Sequence, residues 1–205
     1  MTEPDGVDER KRATLRRFAA VGAASPLARF SEPASADAGE SAARDAIAGY
    51  LSTTPGAHFS KIRDDLQLGT GETQHHLRRL EELGAIEGYS DGDYKRFVPA
   101  NRFDEFEKNA LGYLRRGTPR GMLVELLRHS EATASDLADS LDVSPPTVSK
   151  YAGELEKAGL LSREGGYAVE RPETILLLLV RYADSFDDRT ATLANDADGL
   201  ITFDG

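Results

Sequence analysis

The chain repeats itself. The run Leu80–Glu81–Glu82–Leu83–Gly84–Ala85–Ile86 returns as Leu155–Glu156–Lys157–Ala158–Gly159–Leu160–Leu161, and Gly159 stands 75 residues after Gly84. The same ungapped offset pairs Leu51 with Leu126, Ile62 with Leu137 and Leu66 with Leu141, which makes 47–88 and 122–163 two copies of one unit. A repeat of this length dictates architecture, because each copy must be a supersecondary unit that buries the same face. Each copy reads as helix, turn, helix, turn, helix and a short hairpin.

In the first copy, Ser41 is the expected N-cap of a helix that turns Ile47, Tyr50 and Leu51 inward, and Thr54–Pro55–Gly56 stops it. Phe59, Ile62 and Leu66 are spaced for a second helix, Gly69–Thr70–Gly71 for a turn, and Glu72 to Leu83 for a third helix ended by Gly84. Ile86 and Tyr89, then Tyr94, Phe97 and Val98, flank Asp91–Gly92, a hairpin signal. A connecting helix near Asp104 to Leu114 follows, with Phe103, Phe106, Ala110, Leu111 and Leu114 on one side. In the second copy Ser135 is the expected cap of the middle helix, and Ser144–Pro145–Pro146 opens the third with proline where a missing N–H is harmless. The second hairpin, Leu161 to Val169, turns at Gly165–Gly166; Pro99 and Pro172 are 73 apart, so it is expected to be two residues shorter than the first. A last helix near Glu173 to Phe186 is apolar on almost every face and must be buried all round.

This is the plan of a winged helix-turn-helix written in tandem. The fold class expected is mainly α with small β-hairpins (α+β), two winged units joined by a helix. The domains expected are an arm at 1–40, partly helical or disordered, a first winged unit at 41–102, a connecting helix and basic linker at 103–119, a second winged unit at 120–172, and a packing or dimerisation helix with an acidic tail at 173–205. In the arm, Asp8–Arg17 is charge-dense and can be helical. Arg16–Arg17–Phe18 before an Ala-rich stretch has the outline of a twin-arginine export signal, but the stretch is short and broken by Pro26 and Arg29, which favours a packed helix or loose arm.

Composition sets limits on partners. The net charge is −10, yet half of that excess lies in 173–205, which leaves each winged unit close to neutral and free to carry a basic face. Arginine outnumbers lysine 19 to 6, a balance resembling proteins adapted to molar intracellular salt, as in halophilic archaea; a high-GC genome favours the same exchange. The chain has no cysteine, which removes disulfides and thiolate metal sites and fits a reducing cytoplasm. No apolar run reaches the roughly 18 residues of a membrane span. No nucleophile–base pair, phosphate-binding glycine loop or paired catalytic carboxylates can be located, so neither an enzyme nor a cofactor is expected. His75 and His76 are adjacent on a helix and point about 100° apart, a poor arrangement for one metal ion.

The third helices carry the candidate chemistry. In the second unit Val148, Ala152 and Leu155 form the buried stripe, leaving Thr147, Ser149, Lys150 and Gly153 outward, where short hydroxyls and a lysine can reach base edges and phosphates. In the first, Thr73, Leu77 and Leu80 are inward, leaving Glu72, Gln74, His75, Arg78 and Arg79 outward. Gln74 and the arginines suit base reading or phosphate clamping, whereas Glu72 repels phosphate. Lys95 and Arg96 in the first wing can hold a phosphate or enter the minor groove, opposed by Asp91 and Asp93 at its tip, or can be simply solvated. Arg115, Arg116 and Arg120 form a basic knot that suits either a backbone clamp or helix-end solvation.

Thr147–Val148–Ser149–Lys150–Tyr151 leading into Leu155–Leu161 resembles the recognition helix and wing entry of archaeal and bacterial winged-helix repressors. His76–Leu77–Arg78–Arg79–Leu80–Glu81–Glu82–Leu83–Gly84 is similar to the same element in ArsR- and TrmB-type regulators, and the two together resemble the DNA-binding domains of ArsR, TrmB and MarR-like proteins. Glu72 departs from that pattern. The resemblance implies a cytoplasmic transcription regulator that binds double-stranded DNA, with recognition helices at 72–83 and 146–158. The two apolar stripes of the last helix, Ile175–Leu178–Leu179–Tyr182–Phe186 and Leu176–Leu177–Val180–Ala183, imply a homodimer or burial between units. The rival reading is a non-enzymatic tandem winged-helix adaptor that binds protein in a transcription or chromosome complex.

Overall fold

The computed structural model describes residues 5–23 and 38–196. The chain divides into two compact units, Met1–Phe103 and Asp104–Gly205. The helical, α+β character expected is present: ten α-helices and five short strands among the described residues. Residues 24–37 of the arm expected at 1–40 lie outside them, as do residues 197–205 of the acidic tail.

Unit one opens with α1 (Asp5–Ala23), an alanine-rich helix whose Leu15 and Phe18 lie against the core. It packs along α2 (Ala38–Thr53), and the Phe18 ring meets Tyr50 edge-on at 5.3 Å. The α2 helix starts three residues before Ser41, the cap expected, and ends at the Pro55–Gly56 break, where Gly56 has φ +79°. The two-residue strand β1 (Ala57–His58) was not visible in the pattern, because only its pairing with a distant strand defines it. Helices α3 (Phe59–Asp65) and α4 (Thr70–Glu82) follow, and α4 begins two residues earlier than Glu72. Strands β2 (Ile86–Asp91) and β3 (Tyr94–Pro99) form the hairpin, in an antiparallel sheet of order β1-β3-β2. Asp91 pairs with Tyr94, so Gly92–Asp93 is the loop, and Gly92 at φ +58° supplies the positive φ that a tight hairpin turn needs. Ile47, Leu51, Ile62, Leu66, Leu77, Leu80 and Ile86 close the core, each contributing about 1.5–3 kcal/mol by leaving water.

Unit two begins with the helix expected as a connector. α5 (Glu105–Leu114) is started by Asp104, which accepts from the Glu107 N–H at 2.7 Å while the Glu107 carboxylate takes the Asp104 N–H at 2.8 Å, and it packs against α6 (Gly117–Arg128). The cap of α7 (Ala134–Leu141) is Thr133, not Ser135; its partner in the reciprocal bonds is Asp136. Ser144 holds the N-cap position of α8 (Pro145–Lys157) as expected, with proline in the first turn, but its hydroxyl bonds the Thr147 hydroxyl rather than a helix N–H. Strands β4 (Leu161–Ser162) and β5 (Ala168–Val169) make the small hairpin. α9 (Pro172–Arg181) stops short of Phe186, a 3₁₀ turn covers Ala183–Ser185, and α10 (Asp188–Asp196) occupies what reads in the sequence as acidic tail.

The offset of 75 holds through α4 and α8: Thr70 and Pro145 start them, Glu82 and Lys157 end them, and Ile86 and Leu161 begin the wings. Gly84 and Gly159 close both helices at φ +66° and +70°. The wings then diverge further than the two residues expected. Ile86 pairs with Pro99, 13 residues on, whereas Leu161 pairs with Val169, 8 residues on, a difference of five. Pro99 and Pro172 are therefore not equivalent: one ends a strand and the other starts α9. No described helix is long and apolar enough to cross a membrane.

Candidate nucleic-acid interface

In unit one, α4 divides cleanly into two faces. Thr73, Leu77 and Leu80 are buried as the spacing predicts, and His76 joins them at 5% exposure. Gln74, His75 and Arg78 are exposed and Arg79 is half-buried, with Glu82 at 3.8 Å. His75 and His76 diverge, one to solvent and one inward, and among the described residues no three His, Cys, Asp or Glu side chains are grouped for a metal. Glu72 does not project a bare charge. Its carboxylate accepts the Gly69 N–H at 3.1 Å and the Lys11 ammonium of α1 at 3.2 Å. Burial works to raise its pKa, but the Gly69 N–H and Lys11 outweigh it and hold the carboxyl below its ordinary value. The repulsion expected of Glu72 is thus compensated locally.

The first wing differs from expectation. Arg96 is 3% exposed and turned under β1, where it donates to the Gly56 carbonyl at 2.9 Å and pairs with Asp91. The cause is register: β3 sets Arg96 opposite His58, at the inner end of the sheet, and the guanidinium satisfies a loop carbonyl and the wing carboxylate together. Arg96, expected as a phosphate or minor-groove contact, is thus held inside the fold by these two partners. Lys95 is exposed but paired with Glu81 of α4 at 2.7 Å. With Asp91 neutralised, the charge left at the tip is that of the exposed Asp93.

In unit two, Val148, Ala152 and Leu155 form the buried stripe of α8. Ser149 and Lys150 are exposed, and Thr147 and Gly153 are half-buried. The Thr147 hydroxyl is shared with the Ser144 hydroxyl at 2.9 Å. Lys150 has Glu154 at 3.8 Å, and its side chain is 66% exposed. Such an i,i+4 pair contributes only about 0.3–0.5 kcal/mol, less than the ~1–3 kcal/mol of a good base contact, so it does not hold the ammonium back from a nucleic acid. In the second wing the exposed Arg163, unremarked in the sequence, is bonded to Glu156 of α8 at 2.6 Å; that pairing joins residues seven apart across the helix end, which no helical periodicity signals.

The basic knot is also structural. Arg120, 9% exposed, donates to the Leu114 carbonyl at 2.7 Å and pairs with Asp187, while Arg115 donates to the Ser185 carbonyl at 3.0 Å. Both guanidinium groups lie over the Phe186 ring. Arg116 stacks on Tyr113 and has Glu154 at 3.7 Å. Arg115 and Arg120 clasp the segment leading into α10, and Arg116 is held between Tyr113 of α5 and Glu154 of α8.

Two family models match the chain. Residues 41–111 match an N-terminal HTH domain, and residues 110–171 match the MarR family. No curated protein and no solved structure gave a match. MarR-type and other HTH domains are the units that DNA-binding transcription regulators carry. The first match runs past its hairpin into α5 and the second ends just beyond β5; with the fold described above they give a tandem of two winged helix-turn-helix domains, the second similar to the MarR family.

Proposed function

We propose that the chain is a sequence-specific, double-stranded DNA-binding transcription regulator that reads the duplex with α4 and α8. The observation that carries this reading is the outer face of α8. Within the MarR match, its first turns offer Ser149 and Lys150 to solvent above a fully buried stripe. Short hydroxyls bond to any base edge, and a lysine reaches guanine or phosphate. In unit one, Gln74 suits adenine, and His75, Arg78 and Arg79 suit phosphate or guanine. Lys95 reaches phosphate only by leaving Glu81. Unit two is then the specific reader and unit one chiefly a source of backbone contacts.

The regulator acts as a homodimer in the cytoplasm. On α9, Ile175, Leu178 and Leu179 are buried, as is Tyr182 just after it; of the second stripe expected, Leu176 is also buried, whereas Leu177 is 60% and Val180 37% exposed. Soluble chains seldom leave neighbouring aliphatic side chains in water, and a two-fold contact through them would present paired α8 helices to a palindromic site. Gel retardation of the gene's own promoter fragment across a KCl series tests the reading. Retardation that weakens with salt supports it. A fragment that never shifts would instead favour the adaptor, which the acidic total charge and the exposed α9 side chains also suit.

A further inference from the structure

The chain nets −10, yet between Arg10 and Ala23 it has no acidic residue and five cations. That run lies in α1, and the structure fixes where it goes. Leu15 and Phe18 point at the core of unit one, and Lys11, one turn earlier on the same stripe, reaches Glu72 in the first turn of α4. Arg12, Arg16 and Arg17 are exposed around the rest of the helix, with Arg12 and Arg16 nearly in line one turn apart. Arg12 and Arg16 are about 6 Å apart along the axis, and a DNA strand presents a charge roughly every 3.4 Å, so one stretch of backbone spans both. Arginine is also the cation whose planar fork matches a phosphate. The Arg16–Arg17–Phe18 sequence has a physical use here: Phe18 inserts beside Tyr50 and the two arginines stay outside.

We propose that α1 is a phosphate clamp belonging to unit one: its Arg12, Arg16 and Arg17 face grips the DNA backbone beside the groove that α4 enters, and the Lys11–Glu72 pair sets α1 against the start of that helix. The inference rests on the DNA-binding reading and adds to it a contact outside the helix-turn-helix. It also explains how an acidic chain acquires enough cationic surface to hold a duplex. The pair with Lys11 removes from the mouth of α4 a carboxylate charge that would otherwise face the same phosphates.

The test uses the full-length protein with Arg12→Ala, Arg16→Ala and Arg17→Ala combined, bound to its promoter fragment over a fourfold range of KCl. Alanine is the better helix former, so α1 survives, and circular dichroism checks that it does. Loss of three phosphate contacts makes the slope of log affinity against log salt shallower by about 2.7, so the wild type loses roughly 40-fold more affinity than the variant over that range. Lysine at the same three positions retains most of the slope. Lys108→Ala, Arg128→Ala and Arg189→Ala combined, with the same loss of charge in unit two, leaves the slope unchanged. A wild-type slope in the α1 alanine variant overturns the clamp while leaving α4 and α8 as readers. An equal fall in both triple variants also overturns it, because net charge alone then accounts for the loss. A wild-type protein that binds no duplex overturns the DNA reading itself, and the clamp with it.

Discussion

Arg120→Met separates a structural arginine from a DNA-binding one. Methionine preserves the unbranched stem and removes the guanidinium, which is buried and makes three hydrogen bonds, one to the Leu114 carbonyl and two to Asp187. A hydrogen bond to a charged partner contributes about 1.5–3 kcal/mol, and a buried carbonyl stripped of its donor costs about 1–3 kcal/mol. The Asp187 side chain is 42% exposed, so water recovers part of its share and the sum settles near 2–3 kcal/mol. Asp187 also caps α10 through the Thr190 N–H at 3.1 Å and hydroxyl at 2.8 Å, so its loosening spreads into the last helix. For a unit of roughly 100 residues this corresponds to a fall in Tm of about 8–20 °C. Thermal and urea unfolding read it directly, with Asp187→Asn as the second arm of a double-mutant cycle. DNA affinity per folded molecule, and its salt slope, stay at wild-type values. Stability within about 0.5 kcal/mol of wild type, together with a shallower salt slope, would refute the structural assignment and restore the knot as a backbone clamp.

Lys150→Glu should weaken promoter binding by about 1–3 kcal/mol without lowering Tm, because it sets a carboxylate against phosphate from a solvent-facing position; titration by fluorescence anisotropy measures it. His58 caps α3 by accepting the Lys61 N–H on Nδ1 at 3.3 Å, and burial, then Arg96 and Lys61, hold its pKa below the ordinary value. The unfolded chain therefore takes up the proton first, so this contribution to stability is complete above about pH 6.5 and lost as pH falls below it; His58→Asn, which can still cap, should flatten the dependence in urea titrations between pH 5 and 7. Leu177→Glu with Val180→Glu should convert a particle of twice 22.2 kDa into one of 22.2 kDa in light scattering, and a wild type already at the single-chain mass removes the dimer.

The parts legible in the sequence were those governed by local periodicity. Apolar spacing and terminal glycines locate α4 and α8 within two residues, and the same stripes assign Gln74, Arg78, Ser149 and Lys150 to the outer faces. What stayed hidden depends on partners far along the chain. Arg96 looks like a wing cation until the turn before β1, some forty residues earlier, supplies the Gly56 carbonyl. Arg120 reads as one of three arginines in a basic knot until Asp187 folds back on it. α10 looks like an acidic tail because only Thr190 and Leu193 are buried. Glu72 reads as a defect until Lys11, in a segment with no repeat partner, is placed beside it.

The central claim, that α8 reads base sequence, is tested most directly by selecting bound duplexes from a random pool with the wild-type protein and with Ser149→Ala plus Lys150→Ala. The account predicts a short enriched motif, arranged as two related half-sites, whose base preference is flattened at defined positions in the variant while backbone-driven binding persists. Enrichment of the same motif by both proteins would show that the outer face of α8 does not read DNA, and no enrichment by the folded wild type at any salt concentration would contradict the account as a whole.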